Sequence, residues 1–244
     1  MIVNPCKKKV NEKTVIVTGA SSGFGAVLVR SFQDTGYRVA CCGRNIQPIE
    51  NKNTLAVTAD VRSSLQMRKF CETVVGRWGG IDVVVANAGV NHEGMLSNCS
   101  SDQIDDTIAT NIGGVMNIMK HAGQYLVTQG GGHMIAISSY VATRGNFGLS
   151  LYGATKSALT GLVRSLAKEL GPHGVQVNAV MPGFMDCGMG ERVTPQIKEM
   201  IKRDQVLLRL ADPDESAGFI VYLADMRNVS GQLFNLDSRI TGWI

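Results

Sequence analysis

Tyr152 and Lys156 could act together in proton transfer, because they lie four residues apart at the start of an apolar, helix-like segment. The spacing of leucine and valine predicts a helix over Leu151–Leu170, and residues four apart share one helical face. A tyrosine in water titrates near ~10, but a neighbouring ammonium group favours the phenolate and lowers the pKa. The pair therefore predicts a phenol that Lys156 activates as proton donor and acceptor. Such a pair is also common on protein surfaces. The sequence around it must therefore show whether Tyr152 and Lys156 have a chemical role.

A glycine-rich turn follows the first predicted strand. The buried strand Thr14–Thr18 leads into Gly19-Ala-Ser-Ser-Gly-Phe-Gly25 and then into a helical pattern. Glycines let a backbone approach a ligand closely, and a helix N-terminus favours a pyrophosphate. The glycine spacing differs from the common Gly-x-Gly-x-x-Gly, and the alternative is a plain helix-entry turn. Three glycines directly after a strand favour dinucleotide binding.

The second predicted strand ends at Gly43-Arg44, where the ribose of an adenosine would lie. This strand end has no acidic residue to accept a hydrogen bond from a free 2′-hydroxyl group. Arg44 could pair with a 2′-phosphate instead, and Ser22 could add a hydrogen bond. The pattern favours NADP(H) over NAD(H). The alternative is a surface arginine that stacks on an adenine or binds nothing.

Apolar strands alternate with amphipathic helices along the whole chain, which predicts a parallel sheet with helices on both faces. No linker or repeat divides the sequence, so we expect one doubly wound α/β domain over residues 14–244, after a flexible extension at 1–13. The site should lie beyond the carboxyl ends of the strands. A polar segment of small helices is predicted at about 184–210, and a long helix at about 102–126. The seven predicted strands are 14–18, 37–42, 54–59, 81–86, 133–139, 175–180 and 232–236.

Composition argues against several classes of protein. No apolar run approaches the ~18 residues of a membrane span, and the net charge of +4 includes only one dense basic run, Lys7-Lys8-Lys9. We therefore expect no membrane and no nucleic-acid partner. The cysteines show no metal-ligand spacing, so we expect a reduced, cytoplasmic protein without a metal site. Adjacent Cys41 and Cys42 should point to opposite faces of a strand. The six cysteines are Cys6, Cys41, Cys42, Cys71, Cys99 and Cys187.

From about residue 13 to 237 the chain resembles the short-chain dehydrogenase/reductase family, which implies a Rossmann-type fold. Ser139 precedes Tyr152 by 152 − 139 = 13 residues, as the family pattern expects. The motifs occur in family order: Thr18-Gly-Ala-Ser-Ser-Gly-Phe-Gly25, Asp60-Val61, Asn87-Ala-Gly89, Asn111, Ser139, Tyr152-x-x-x-Lys156 and Pro182-Gly183.

The resemblance implies a catalytic set. Tyr152 would be the general acid for ketone reduction and the base for alcohol oxidation, and Lys156 would lower its pKa and bind the nicotinamide ribose. Ser139 would donate to the substrate oxygen, with Ser138 as its less favoured competitor. Asn111 would hold a water molecule that links Lys156 to solvent.

The resemblance also implies a cofactor-binding set and a substrate pocket. The departures from the family pattern are Phe24, Ala86 and Asn235-Leu-Asp-Ser-Arg239, which replaces Val-Asp-Gly-Gly at a usual subunit contact. Arg144 could anchor an anionic substrate or be a solvated loop arginine, and His92 is interpreted as a loop histidine. The cofactor set is Gly19, Ser21, Ser22, Gly23, Phe24, Gly25, Arg44, Asp60, Val61, Asn87, Ala88, Gly89, Tyr152, Lys156, Pro182 and Gly183. The substrate set is Ser139, Tyr152, Arg144, Phe147, Leu149 and Phe184.

These expectations describe an NADP(H)-dependent oxidoreductase that interconverts a ketone or aldehyde and a secondary alcohol. One alternative is a 3-oxoacyl-carrier-protein reductase-like enzyme, which Gly145-Asn-Phe-Gly148 favours. Weak basic character at Gly130 and His173, where those enzymes dock an acidic carrier, argues against it. The other alternative is a non-catalytic NADPH-sensing regulator, which would not need the intact catalytic set. We expect a small-molecule partner and a homodimer or homotetramer, with the apolar tail Ile240–Ile244 against another subunit.

Overall fold

The sheet of the computed structural model, which describes residues 12–240, contains eight strands. Its order is β3-β4-β2-β1-β5-β6-β7-β8, and every adjacent pair is parallel except the antiparallel pair β3–β4. The strands are β1 Thr14–Thr18, β2 Arg38–Gly43, β3 Ile49–Glu50, β4 Thr54–Thr58, β5 Val83–Ala86, β6 Gly132–Ile137, β7 Val175–Met181 and β8 Leu233–Asn235. All seven predicted strands are present. The sequence did not predict β3, because this two-residue edge strand is exposed and lacks an apolar pattern.

Helices cover both faces of the sheet, which confirms the doubly wound class. One apolar core lies under α2, α4 and α6, and the other under α1 and α8. The helices are α1 Gly23–Asp34, α2 Ser64–Trp78, α3 Ser101–Ile108, α4 Val115–Gln129, α5 Val141–Arg144, α6 Ser150–Leu170, α7 Pro195–Asp204 and α8 Pro213–Asp225.

Adjacent cysteines in β2 show how the alternation of a strand fills both cores. Cys41 packs in the core under α1 and α8, whereas Cys42 packs in the core under α2, α4 and α6. Both are free thiols. The prediction that they point to opposite faces is confirmed.

The prediction of a single long helix over about 102–126 is wrong, because the helix is interrupted. A π-helical segment, Ala109–Gly114, separates α3 from α4. A Cβ on Gly114 would lie 2.5 Å from Cγ2 of Val61, so glycine permits the close packing of the chain there. Single-turn π segments are frequent at functional sites, and this one carries Asn111.

The ends of the chain and the segment 184–210 complete the description. Residues 1–11 of the predicted extension and 241–244 of the apolar tail lie outside the described residues, and Ile240 is 73% exposed. Lys13 already pairs with Asp225 at 2.5 Å. Segment 184–210 holds a short 3₁₀ helix at Gly188–Arg192 and α7, which has no buried residue. Within residues 12–240, no helix is long and apolar enough to span a membrane.

Candidate active site

Tyr152 and Lys156 lie in the first two turns of α6, beside the carboxyl end of β6. Lys156 is buried, and its Nζ donates a hydrogen bond of 2.7 Å to the carbonyl oxygen of Ile137. The same nitrogen lies 5.7 Å from the centroid of the Tyr152 ring. The structure therefore brings the phenol and the ammonium group together on one helical face.

Ser138 and Ser139 follow β6 and have different partners. The Ser138 hydroxyl is buried and donates to the carbonyl oxygen of Lys156 at 3.0 Å. The Ser139 hydroxyl accepts from the backbone N–H of Val141 at 3.3 Å and hydrogen-bonds Tyr152. Ser139 is therefore the serine next to the tyrosine, and Ser138 fixes α6 against the sheet.

Burial shifts the pKa of both titratable groups of this pair. It raises the pKa of Tyr152, and the hydrogen bond with Ser139 acts in the opposite direction. It lowers the pKa of Lys156 to about 8. The lowered tyrosine pKa that the sequence predicts is therefore not what this structure gives. Loss of hydration disfavours the phenolate, and the Lys156 ammonium points at a backbone carbonyl.

Asn111 is fully buried in the π-helical segment and is bound from two sides. Its Oδ1 accepts from the N–H of Val90 at 2.8 Å, and its Nδ2 donates to the Val90 carbonyl at 2.9 Å and to the Thr155 hydroxyl at 3.0 Å. A Cβ on Gly89 would lie 3.4 Å from Asn111 Oδ1 and 3.5 Å from Lys156 Nζ. Asn111 thus joins the turn after β5 to α6, close to the lysine.

The glycine-rich turn between β1 and α1 has the shape of a phosphate-binding turn. Gly19 and Gly23 adopt φ angles of +68° and +56°, which favour glycine. A Cβ on Gly25 would lie 2.2 Å from the carbonyl oxygen of Gly19. Asn87 Nδ2 donates to the carbonyls of Thr18 and Gly19 at 3.0 and 3.2 Å. Because the backbone comes so close at the open N-terminus of α1, these residues fit a dinucleotide pyrophosphate.

The strand ends beside this turn carry two arginines around one carboxylate. Arg44 directly follows β2, is exposed, and its charge contributes to a lowered pKa of Asp60. The main cause of that lowered pKa is the hydrogen-bonded Arg62, whose Nη2 lies 2.6 Å from Asp60. Arg62 also binds Asp106 at 2.8 Å. Sequence reasoning missed Arg62, although its place two residues after Asp60 was a signal.

The other residues of the predicted cofactor set lie around the same edge of the sheet. Ser21 is so close to β2 that a Cβ on Gly43 would lie 2.1 Å from its hydroxyl oxygen. Ser22 is exposed at the start of α1, and Phe24 is buried in the core under α1 and α8. The backbone N–H of Ala88 donates to the Thr18 hydroxyl at 3.2 Å. Three further members are buried: Val61, Pro182 and Gly183.

The predicted substrate residues differ in how far they are exposed. Phe147 is 88% exposed, and Arg144 is also exposed at the end of α5. Leu149 and Phe184 are half-buried, and Leu149 directly precedes α6. His92 pairs with Asp106 at 3.1 Å, which agrees with a structural role for this histidine.

A family model described as short chain dehydrogenase matches residues 13–198. The chain belongs to the short-chain dehydrogenase family. This family membership makes it an NAD(P)-dependent oxidoreductase, as the motifs around Tyr152 and Lys156 predicted.

Several relatives of this short-chain dehydrogenase are 3-oxoacyl-[acyl-carrier-protein] reductases. The FabG reductase of Staphylococcus aureus is 31% identical over 237 residues, which cover 92% of this chain and 96% of the relative. FabG of Thermotoga maritima is 30% identical, with coverage of 94% and 98%. Carbonyl reductase family member 4 of Xenopus laevis is 29% identical, with coverage of 92% and 96%. The structure of a 3-ketoacyl-(acyl-carrier-protein) reductase from Brucella melitensis complexed with NADH has the same fold, with a TM-score of 0.86, 22% identity and coverage of 93% and 97%.

Proposed function

We propose that this enzyme reduces the ketone of a 3-oxoacyl thioester to the 3-hydroxyacyl thioester. The observation that carries the proposal is the grouping of Ser139, Tyr152 and Lys156 at the carboxyl end of β6. Relatives of about the same length that carry the 3-oxoacyl reductase name support the substrate class. This class is narrower than the ketone or aldehyde predicted from the sequence, and it was the alternative there.

The proposed chemistry assigns one proton and one hydride to the substrate. A nicotinamide cofactor, when bound, would supply the hydride that the carbonyl carbon accepts. Tyr152 gives the proton of its hydroxyl to the carbonyl oxygen, and Ser139 donates a hydrogen bond to that same oxygen. Lys156, held by Ile137, places a positive charge beside the phenolate that remains. Asn111 holds α6 and the turn after β5 in place, next to Lys156.

The proposal includes a preference for NADP(H) over NAD(H). Arg44 follows the end of β2, and its side chain is exposed beside Asp60. Arg62 already neutralises Asp60 through three hydrogen bonds from its guanidinium group. Arg44 is therefore available to pair with a 2′-phosphate, and exposed Ser22 stands on the neighbouring turn.

Two surfaces of the protein bear on which thioester it accepts. The turns at Gly130 and His173 lie side by side, since a Cβ on Gly174 would be 2.7 Å from the Gly130 carbonyl. These turns, at residues 129–131 and 171–174, carry exposed His173 but no lysine or arginine with which to dock an acidic carrier. At the other end of the substrate, exposed Phe147 and half-buried Phe184 offer apolar surface for an acyl chain.

The test is a substrate panel followed by NADPH absorbance. The panel contains a 3-oxoacyl chain on acyl carrier protein, the same chain on N-acetylcysteamine, and simple ketones of similar length. We expect the thioesters to give the highest kcat/KM, and Tyr152→Phe to lose about 10²–10⁴-fold in kcat while it still binds NADPH. Ser97→Ala, an exposed serine between β5 and α3, is the control variant. Faster turnover of simple ketones than of both thioesters would reject the 3-oxoacyl assignment.

We also propose a homodimer or homotetramer. Consecutive residues Val206, Leu207 and Leu208 are 61%, 59% and 70% exposed. The backbone N–H groups of Val206 and Leu207 bond Ser238, which lies shortly after β8. An exposed apolar group of this kind favours association. Light scattering of the purified protein should give a multiple of the 26.2 kDa chain mass, and a monomer alone would reject the proposal.

A further inference from the structure

A buried ion pair lies near the C-terminus, outside the proposed catalytic set. Arg239 donates from Nε to Oδ1 of Asp237 at 2.7 Å and from Nη2 to Oδ2 at 2.6 Å. The side chains of Arg239 and Asp237 are only 10% and 0% exposed. Gln205 Nε2 adds a hydrogen bond of 3.2 Å to the same carboxylate. We call Asp237, Ser238 and Arg239 the C-terminal clamp.

Arg239 contacts the loop that carries Ser139. Its guanidinium carbon lies 3.4 Å from the centroid of the Tyr140 ring, so the two planar groups are in direct contact. Tyr140 is buried and directly follows Ser139. The Tyr140 carbonyl accepts hydrogen bonds from the N–H and the hydroxyl of Thr143 at 3.2 and 3.1 Å. A shift of Tyr140 would therefore move the backbone that directly follows the serine.

Asp237 contacts the second loop of the site, the turn after β7. A Cβ on Gly183 would lie 3.1 Å from Oδ2 of Asp237 and 2.7 Å from Cβ of Ala211. Pro182 and Gly183 belong to the predicted cofactor set. The clamp thus touches the proposed cofactor side through Asp237 and the substrate-oxygen side through Arg239.

The clamp carries a residue that the family pattern does not supply. Arg239 stands where the resemblance implies the second glycine of Val-Asp-Gly-Gly, and a glycine has no side chain with which to reach Tyr140. A buried ion pair contributes little net stability compared with apolar residues of the same size. The pair in this chain instead has a specific contact at each end, one on each loop.

We propose that Arg239 is a positioning residue, which is stacked on Tyr140 and held by Asp237 so that it sets the place of Ser139 relative to the turn at Gly183. Its effect on turnover rests on the proposed function, whereas its effect on the loop does not. A displacement of about 1 Å of a positioning group can lower turnover by about 10²-fold.

The test compares the double variant Asp237→Leu/Arg239→Met with the wild-type protein. The double variant removes both charges together, so no unpaired charge stays buried, and we expect its urea midpoint to stay close to that of the wild type. Hydrogen–deuterium exchange of residues 139–145 should become roughly tenfold faster, with exchange in β1 unchanged. Unchanged exchange in 139–145 would overturn the proposal, whether or not any substrate is turned over.

Turnover gives the second measurement. We expect kcat of the double variant to fall about ten- to a hundredfold, which is a larger change than any rise in KM for NADPH caused by the lost contact with Gly183. Tyr140→Leu removes the ring on which Arg239 stacks, and it should lower kcat by a similar factor. Adding Tyr140→Leu to the double variant should cause little further loss of kcat. Full kcat in the stable double variant would overturn the proposal. Failure of the wild-type protein to reduce any 3-oxoacyl thioester would instead reject the proposed function, and the exchange result would still decide the inference.

Discussion

The Nζ of Lys156 donates a 2.7 Å hydrogen bond to the carbonyl oxygen of Ile137, the last residue of β6. This contact fixes the ammonium group to the sheet and keeps it buried. The ring of Tyr152 lies 5.7 Å away, measured from its centroid to the same nitrogen. In the proposed mechanism the lysine supports the tyrosine through its positive charge, and that charge depends on pH.

We predict a fall in activity above about pH 8. Burial lowers the pKa of Lys156 to about 8, so the ammonium group loses its proton as pH rises through this value. Burial raises the pKa of Tyr152, so the phenol keeps its own proton over the same range. The logarithm of kcat/KM for ketone reduction should fall with a slope near −1, as expected for loss of one proton. Steady-state rates between pH 6 and 10 test this prediction.

Lys156→Arg is the control for this profile, because a guanidinium group stays protonated over the whole range. We expect lower activity in this variant, because the longer side chain does not fit the contact with the Ile137 carbonyl. Its kcat/KM should not fall near pH 8. The same alkaline limb in Lys156→Arg would assign the titration to a different group.

Local patterns in the sequence were enough to predict seven of the eight strands, the layering and the position of Lys156 beside Tyr152. Cys41 and Cys42 face different cores, and Lys156 shares a face with Tyr152, because strand and helix periodicity decide both placements. The chemical roles of the predicted site residues stay predictions.

Contacts between distant parts of the chain could not be predicted in this way. Asp237 and Arg239 meet Tyr140 and Gly183 only because the sheet brings β8 beside β7. The π-helical segment around Asn111 depends likewise on its bonds to Val90, which is 21 residues away in sequence. The burial that raises the pKa of Tyr152 is a property of the folded chain and not of the motif.

Replacement of Arg44 should change the choice of cofactor. A hydrogen bond to a charged group contributes about 1.5–3 kcal/mol, so Arg44→Asp should lower kcat/KM for NADPH roughly tenfold to a hundredfold. The new carboxylate can accept a bond from a free 2′-hydroxyl group, so kcat/KM for NADH should be retained or should rise. The control is Arg38→Gln, at the opposite end of the same strand. An unchanged ratio of the two kcat/KM values would remove Arg44 from cofactor selection.

Addition of one methyl group to the glycine-rich turn should weaken cofactor binding. A Cβ on Gly25 would lie 2.2 Å from the Gly19 carbonyl oxygen, and the backbone would have to move. We expect Gly25→Ala to raise the Kd for NADPH at least tenfold and to lower the free energy of unfolding by about 1–3 kcal/mol. Fluorescence titration and urea unfolding measure the two effects.

The matched control for Gly25 is Gly76→Ala in α2, where no heavy atom lies within 4 Å of the added Cβ. Gly76→Ala should leave the Kd for NADPH unchanged and raise the free energy of unfolding by about 0.5–1 kcal/mol. Equal behaviour of the two variants would show that the close approach at Gly19 does not shape the cofactor turn.

His133 should make the stability of the fold depend on pH. It is buried at the start of β6, and burial lowers its pKa from 6.5 to about 4, although a hydrogen bond with the Ala224 backbone acts in the opposite direction. The unfolded chain therefore binds this proton between pH 6.5 and 4, whereas the folded chain does not. The stabilisation is complete above pH 6.5 and is lost as pH falls toward 4.

We expect the free energy of unfolding to be lower by about 2 kcal/mol at pH 5 than at pH 7.5 because of His133 alone. Asn178 Nδ2 lies 2.8 Å from Nε2 of His133, so His133→Gln keeps an acceptor for it and removes the titration. Urea unfolding of this variant should show a pH dependence smaller by that amount. His173→Gln changes an exposed histidine and should behave like the wild-type protein. If His133→Gln kept the full pH dependence, the acid sensitivity would have to come from carboxylates such as Asp237. Burial alone would raise the pKa of Asp237, but its hydrogen bonds with Arg239 lower it.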